Sequence, residues 1–216
     1  MFQYSGGVTR ETAPEPAGAD RLGAAVRALG DVVVRTGAAE DELAGAAEQV
    51  EAVTAALADP PPAHRVHDSP YHPMSLVGGT AHPTAPQLHT VRTDEGVAGT
   101  VVLGPAYEGR PGLAHGGVLS LLFDHAMGQA LFVAGHSAMT VSLEVRYRAP
   151  TPLGMPLAVS ARVDGRDGRK LNVSAQIVLD GRVTAEARGV FVQLTSANVA
   201  QIFPANRVPP EPPPGE

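Results

Sequence analysis

The sequence predicts an α+β fold in which an antiparallel sheet wraps one long central helix, with a helical extension at the N-terminal side. Three observations carry this expectation. An apolar run over 116–134 is long enough for about five helical turns. Runs of alternating apolar and polar residues follow it, and two segments with apolar residues at helical spacing precede it. A helix that is apolar nearly all round must be enclosed by protein, and the strands that follow it supply the enclosure.

In chain order, residues 1–18 are small, polar and dotted with prolines, which suits a loose lead-in. Across 20–35, Leu22, Val26, Leu29 and Val33 recur on one helical face, and 40–59 repeats the pattern with Leu43, Ala46, Val50, Val53 and Leu57. Pro60-Pro61-Pro62 stops the second helix, so the helical extension occupies 19–62. The main domain spans 63–194. It opens with an irregular connector bearing Pro70, Pro73, Pro83, Pro86 and Gly78-Gly79, followed by a hairpin over 88–92 and 96–103.

After the central helix, strands are expected at 138–148, 156–164, 170–179 and 182–194. In the first, Val141, Leu143, Val145 and Tyr147 alternate with Thr140, Ser142, Glu144, Arg146 and Arg148, placing the two sets on opposite faces. Asp180-Gly181 between two such runs is the signature of a type I′ hairpin turn. The tail over 195–216 is too rich in proline to bury itself and is expected to be disordered.

A chain of 216 residues with 44% hydrophobic and 18% charged residues supports one main domain. The formal charge of -6 argues against a nucleic-acid partner, which needs a basic face. Zero cysteines remove disulfides, thiolate catalysis and zinc ribbons. No window reaches the roughly 20 apolar residues of a membrane span, and the N-terminal residues lack the basic-then-apolar order of a signal peptide, so the expected location is cytoplasmic. No metal is assigned, because His64, His67, His72, His82 and His89 sit in the proline-rich connector without a rigid frame. Gly135-His136-Ser137-Ala138-Met139 lacks the second glycine of a serine nucleophile elbow.

The chemistry concentrates at His115-Gly116-Gly117, which opens the apolar helix, and at Asp124 within it. A helix start leaves N–H groups unpaired, and glycine there lets a carbonyl approach the backbone closely. The carboxylate follows nine residues after His115, a separation of roughly 13 Å along the helix and about 900° of rotation. An acid so placed cannot serve a carbonyl held at its own helix start. If both act on one substrate, the acid comes from a second copy of the chain, and the site straddles a two-fold interface. The cations cluster as well: Lys170, the one lysine among 16 basic residues, follows Arg169, while Arg146 and Arg148 lie upstream, which makes these four a candidate phosphate site.

These residues resemble the hotdog-fold acyl-CoA thioesterases, in particular the phenylacetyl-CoA-thioesterase-like group and its thioesterase superfamily member 4-like branch. The resemblance covers about 70–194 and rests on 107–117 (Tyr-Glu-Gly-Arg-Pro-Gly-Leu-Ala-His-Gly-Gly), Asp124, Met139-Thr140, Tyr147-Arg148-Ala149-Pro150 and Gly168-Arg169-Lys170. It implies a hotdog fold and hydrolysis of a fatty or aromatic acyl-CoA to free acid and CoA. The assembly it implies is a homodimer or a dimer of dimers.

The Gly116 amide, next to Gly117, would polarise the thioester carbonyl. Asp124 of the opposite subunit, with Thr140 as its hydroxyl partner, would act as general base or nucleophile, and His115 would shape the turn. Coenzyme A enters as part of the substrate, with no separate cofactor, and its phosphates would meet Arg148, Arg169, Lys170 and Arg146. The acyl chain would run between paired helices along Leu119, Phe123 and Met127. Many relatives carry asparagine or glutamine six residues before the motif histidine, where this chain has Gly109. Two other functions fit the same outline: a hotdog enoyl-CoA hydratase or dehydratase, whose usual histidine five residues after the acid is here Gln129, and a non-catalytic acyl-CoA-binding protein.

Overall fold

The computed structural model describes residues 18–58 and 73–194. The expected lead-in, the proline-rich tail and the histidines at 64, 67 and 72 lie outside these residues. In chain order the elements are α1 (Gly18–Val33), α2 (Glu40–Ala58), β1 (His89–Thr93), β2 (Gly96–Val102), a 3-10 turn at Pro105–Tyr107, α3 (Gly116–Val133), β3 (Ala138–Tyr147), β4 (Pro156–Asp167), β5 (Lys170–Leu179) and β6 (Arg182–Gln193). The six strands form one antiparallel sheet in the order β1-β2-β4-β5-β6-β3, which leaves β1 and β3 as its edges.

The sheet curls around α3, which packs against all six strands. Strand periodicity sets this up: in β5, Leu171, Val173, Ala175 and Ile177 point inward at every second position and are buried. They meet Leu119, Leu122, Phe123, Ala126 and Met127 of α3 in the core. Each large side chain enclosed there contributes about 1.5–3 kcal/mol relative to exposure. By length and composition α3 could cross a membrane, but its enclosure by the sheet is that of a core helix. The turn between β5 and β6 has φ of 49° at Asp180 and 78° at Gly181, the left-handed pair that a type I′ hairpin requires.

Two bulges depart from simple alternation. In β3, Thr140 pairs with Phe191 and Ser142 with Val190, so Val141 is inserted as an extra residue. One extra residue inverts the parity of everything beyond it. Thr140 therefore shares the inward face with Leu143, Val145 and Tyr147, rather than the outward face with Ser142, Glu144 and Arg146 that strict alternation assigns. A second irregularity between Val163 and Gly165 carries β4 on to Asp167, beyond the expected end at 164.

The N-terminal helices are present, but their apolar stripes are not buried by the described residues. α1 is anchored by polar contacts instead. Arg27 donates to the carbonyls of Thr80 at 3.0 Å and His82 at 2.6 Å, Thr80 donates to Asp20 at 2.6 Å, and the Ala106 N–H donates to Asp31 at 2.8 Å. Leu22, Val26 and Leu29 remain exposed, as do Leu43, Val50, Val53 and Leu57 of α2, which has no buried residue.

Candidate active site

The start of α3 is built from an anchored loop. The Tyr107 carbonyl accepts from the His115 N–H at 2.9 Å, the Leu113 carbonyl from Gly109 at 2.8 Å, and the Thr151 carbonyl from Ala114 at 2.9 Å. The Glu108 carboxylate accepts from the Gly112 N–H at 2.6 Å, and the Tyr107 hydroxyl donates to the Thr84 carbonyl at 3.0 Å. Burial, then the Asp31 carboxylate, push the Tyr107 phenol up, which keeps it in the neutral, donating form.

His115 is the N-cap of α3, with φ -65° and ψ 133°, and its Nδ1 accepts the Gly117 N–H at 3.0 Å. The Gly116 carbonyl accepts from the Tyr147 hydroxyl at 2.9 Å and from Ser120 Oγ at 3.1 Å. The Gly116 carbonyl and the Gly117 N–H are the two ends of one planar peptide, so that peptide is clamped from both sides. The preceding peptide is fixed by its carbonyl, since His115 O accepts from Val118 at 2.9 Å. Its N–H, that of Gly116, has no acceptor among the described residues. One oriented donor is thus left open at a helix N-terminus, and the Gly117 donor is occupied.

Along the same helix, Asp124 is half-buried and its Oδ1 accepts the Thr140 hydroxyl at 2.7 Å. The β3 bulge makes this contact possible, by turning Thr140 toward α3. Thr140 itself is exposed, so the pair opens at the free edge of the sheet. Gly116 and Asp124 stand about 12 Å apart along the helix axis. No single carbonyl spans that distance.

The next residue, His125, faces a different environment. Burial pushes its imidazole down to about 4, the Asp124 carboxylate opposes the shift, and His89 adds to it. The consequence is acid lability. Above a pH of about 6.5, the ordinary histidine value, the ring is neutral folded or unfolded. Below it the unfolded chain takes up a proton that the folded chain refuses until about pH 4. Stability should therefore fall by about 3 kcal/mol as pH drops through that window. His125→Gln should flatten the dependence, as read by denaturant unfolding at pH 7, 5.5 and 4.5; an unchanged slope would assign the lability elsewhere.

The thioesterase superfamily model matches residues 111–186, a stretch that contains the helix start, Asp124, Thr140 and the four candidate cations. A crystal structure of a thioesterase superfamily protein is 34% identical, covers 83% of this chain and 92% of its own, and superposes with a TM-score of 0.75. The chain belongs to the thioesterase superfamily. Its sheet-wrapped helix is the hotdog fold. Among curated relatives, the acyl-coenzyme A thioesterase THEM4 of Bos taurus is 33% identical over 93 residues, which is 42% of this chain and 38% of that protein. THEM4 of Xenopus laevis is 36% identical over 94 residues, 42% of each chain, and THEM5 of Mus musculus is 36% identical over 93 residues, 42% of this chain and 38% of that protein. The chain thus matches less than half the length of these relatives, and it falls with the THEM4-like branch of the superfamily.

Within that family frame, Gly109 has a local reason. A Cβ there would lie 2.8 Å from His115 Cα and 3.2 Å from His115 Cβ. Any side chain at this position displaces the N-cap, so glycine at 109 goes with this close approach of the loop to His115.

The four cations do not form one cluster within a protomer. Arg146 pairs with Glu144 at 2.7 Å, and Arg148 bonds Glu186, whose carboxyl it holds below the usual range. Arg169 and Lys170 sit at the β4–β5 turn instead. Lys170 lies level with Val192 and hence with Met139, seven residues along β3 from Arg146, a separation of about 23 Å.

Leu119, Phe123 and Met127 do not line an acyl channel, contrary to the expectation from sequence. All three are at most 3% exposed and are packed beneath the sheet of their own protomer, so they leave no room for a ligand. The helix face turned away from the sheet is the one bearing Leu121, Gly128 and Phe132, which are only partly buried or exposed. Tyr147 and Ser120 are the site residues that spacing did not single out. Tyr147 lies in a motif that carries the family resemblance, but its bond to Gly116 has meaning only once β3 is known to run past the start of α3, and Ser120 has no signal of its own.

Proposed function

We propose that the protein is an acyl-CoA thioesterase whose active site forms between two copies of the chain. The observation that carries this reading is the pairing of an open, oriented Gly116 N–H with a hydrogen-bonded Asp124–Thr140 pair too far along the same helix to meet it. In a two-fold dimer, the Gly116 N–H of one protomer donates to the thioester carbonyl oxygen, and Asp124 of the other faces the carbonyl carbon through a water. Thr140 occupies Oδ1, which leaves Oδ2 to take the proton from that water.

Water adds to the carbonyl carbon as Asp124 removes its proton. The oxygen of the tetrahedral intermediate carries a negative charge, and the Gly116 N–H stabilises it. Collapse re-forms the carbonyl, breaks the carbon–sulfur bond and releases CoA thiolate with the acid. Removal of one such donor typically costs about 3–4 kcal/mol of transition-state stabilisation.

The strand register supports a shared CoA site. Arg169 and Lys170 stand at the Asp124 end of a protomer and Arg148 at the Gly116 end. A dimer that joins opposite ends brings them to one pocket mouth. Arg169 and Lys170 carry the stronger claim on the phosphates, because Arg146 and Arg148 are already neutralised by glutamates.

The first test is free-thiol release from a panel of acyl-CoA esters, with an enoyl-CoA assayed in parallel for hydration. Thiol release from at least one ester supports the reading; hydration without thiol release overturns it. Arg169→Ala combined with Lys170→Ala is expected to raise KM several-fold and leave kcat unchanged, with the difference narrowing at high salt. An unchanged KM would remove both residues from the site.

A further inference from the structure

We propose that a cavity of about 230 Å³ between the 73–80 turn, the start of β1 and α3 is an acyl subsite for an uncharged oxygen, a hydroxyl or keto group, far along an aliphatic chain. The inference rests on the thioesterase reading and adds a substrate class to it.

Much of the cavity wall is polar. Thr90 lines it, is only 9% exposed, and its hydroxyl has no hydrogen-bond partner among the described residues. A buried hydroxyl left unbonded is costly, so this one favours a group that the described residues do not provide. Two imidazoles face the same space. A Cβ at Gly78 would stand 3.7 Å from His125 Nε2 and 3.9 Å from His89 Nδ1, so the absence of a side chain there keeps both nitrogens accessible. Gln129 Nε2 lies 3.4 Å from His125 Nε2, one helical turn further on, and also lines the cavity.

Charge and size narrow the ligand. Among the described residues no Arg, Lys, Asp or Glu lines the cavity, and burial keeps His125 neutral at neutral pH. An anion or a cation would therefore enter without a counter-charge. Leu88 supplies an aliphatic wall, and apart from the imidazoles no ring is available for stacking. The volume falls below the roughly 300–1,000 Å³ of a site for a whole drug-sized ligand, so it accommodates the end of a chain rather than a CoA ester.

Position connects the cavity to the chemistry. His125 follows Asp124 directly and is turned about 100° from it around α3. An acyl chain that passes the acid thus meets the cavity wall at the next residue.

The test uses the full chain and matched alkanoyl-CoA and ω-hydroxyalkanoyl-CoA esters over a series of chain lengths. Hydrolysis is measured as kcat/KM, and binding of the corresponding non-hydrolysable thioethers by calorimetry. At one chain length the hydroxylated member should be favoured about five- to tenfold, the worth of one neutral hydrogen bond. Thr90→Val should erase that preference without altering the unsubstituted ester, and Thr90→Ser should keep it. Because Val replaces an unbonded hydroxyl, the unfolding temperature should hold or rise; a clear drop would make Thr90 structural and overturn the proposal. Equal rates and equal affinities for both members at every length, with esters hydrolysed, would leave the cavity holding only water and overturn the subsite alone. Selective binding of the hydroxylated thioether without hydrolysis of any ester would uphold the subsite and overturn the thioesterase reading.

Discussion

Asp124→Asn is expected to lower kcat for thioester hydrolysis by about 10²–10⁴-fold, the range for loss of a positioned general base. Asparagine keeps the shape of the side chain, and its amide oxygen can still accept the Thr140 hydroxyl that Asp124 Oδ1 accepts at 2.7 Å. The fold and KM should therefore change little. What is lost is the second carboxylate oxygen as a proton acceptor. Turnover within a fewfold of wild type, in a variant with unaltered unfolding, would remove Asp124 from the chemistry.

Gly116→Pro is expected to lower kcat by about 10²–10³-fold through deletion of one N–H. The substitution is unusually clean on geometric grounds. Gly116 is the first residue of α3, where proline is well tolerated because the missing donor has no intrahelical partner. The residue before proline must be extended, and His115 already is, with φ -65° and ψ 133°. The added Cβ comes 3.0 Å from the Tyr147 hydroxyl, so that side chain must give by a few tenths of an ångström. Circular dichroism and the unfolding temperature should stay near wild type while hydrolysis collapses. Retained hydrolysis would show that the oxyanion is held elsewhere.

How much of this was legible in the residues depended on the range of the interaction. Local signals were strong. The central helix ended within one residue of its expected bounds because glycines and the His115 cap mark its start and the polarity change after Val133 marks its end. The Asp180-Gly181 turn was readable because only certain residues accept two positive φ values. The bulge at Val141 was not readable, since a Thr-Val-Ser stretch alternates acceptably in either parity and only pairing with β6 decides which side Thr140 takes.

Longer-range features were harder. Tyr147 belongs to the site because β3 passes the start of α3, a tertiary fact that leaves no trace in spacing. Leu119, Phe123 and Met127 read as a ligand channel because an apolar helix does not announce which face meets the sheet and which faces outward. The two N-terminal helices show the opposite limit. Their periodicity was clear, yet α1 is held by Arg27, Asp20 and Asp31 and its apolar stripe stays exposed.

The most direct test of the shared site mixes two inactive variants. Asp124→Asn and Gly116→Pro proteins are unfolded together, refolded and assayed. Random pairing makes half of the dimers mixed, and each mixed dimer holds one site with both an intact acid and an intact amide, so about one quarter of wild-type activity should return. A mixture no more active than the average of its two parents would contradict the account, because acid and amide would then act within a single protomer.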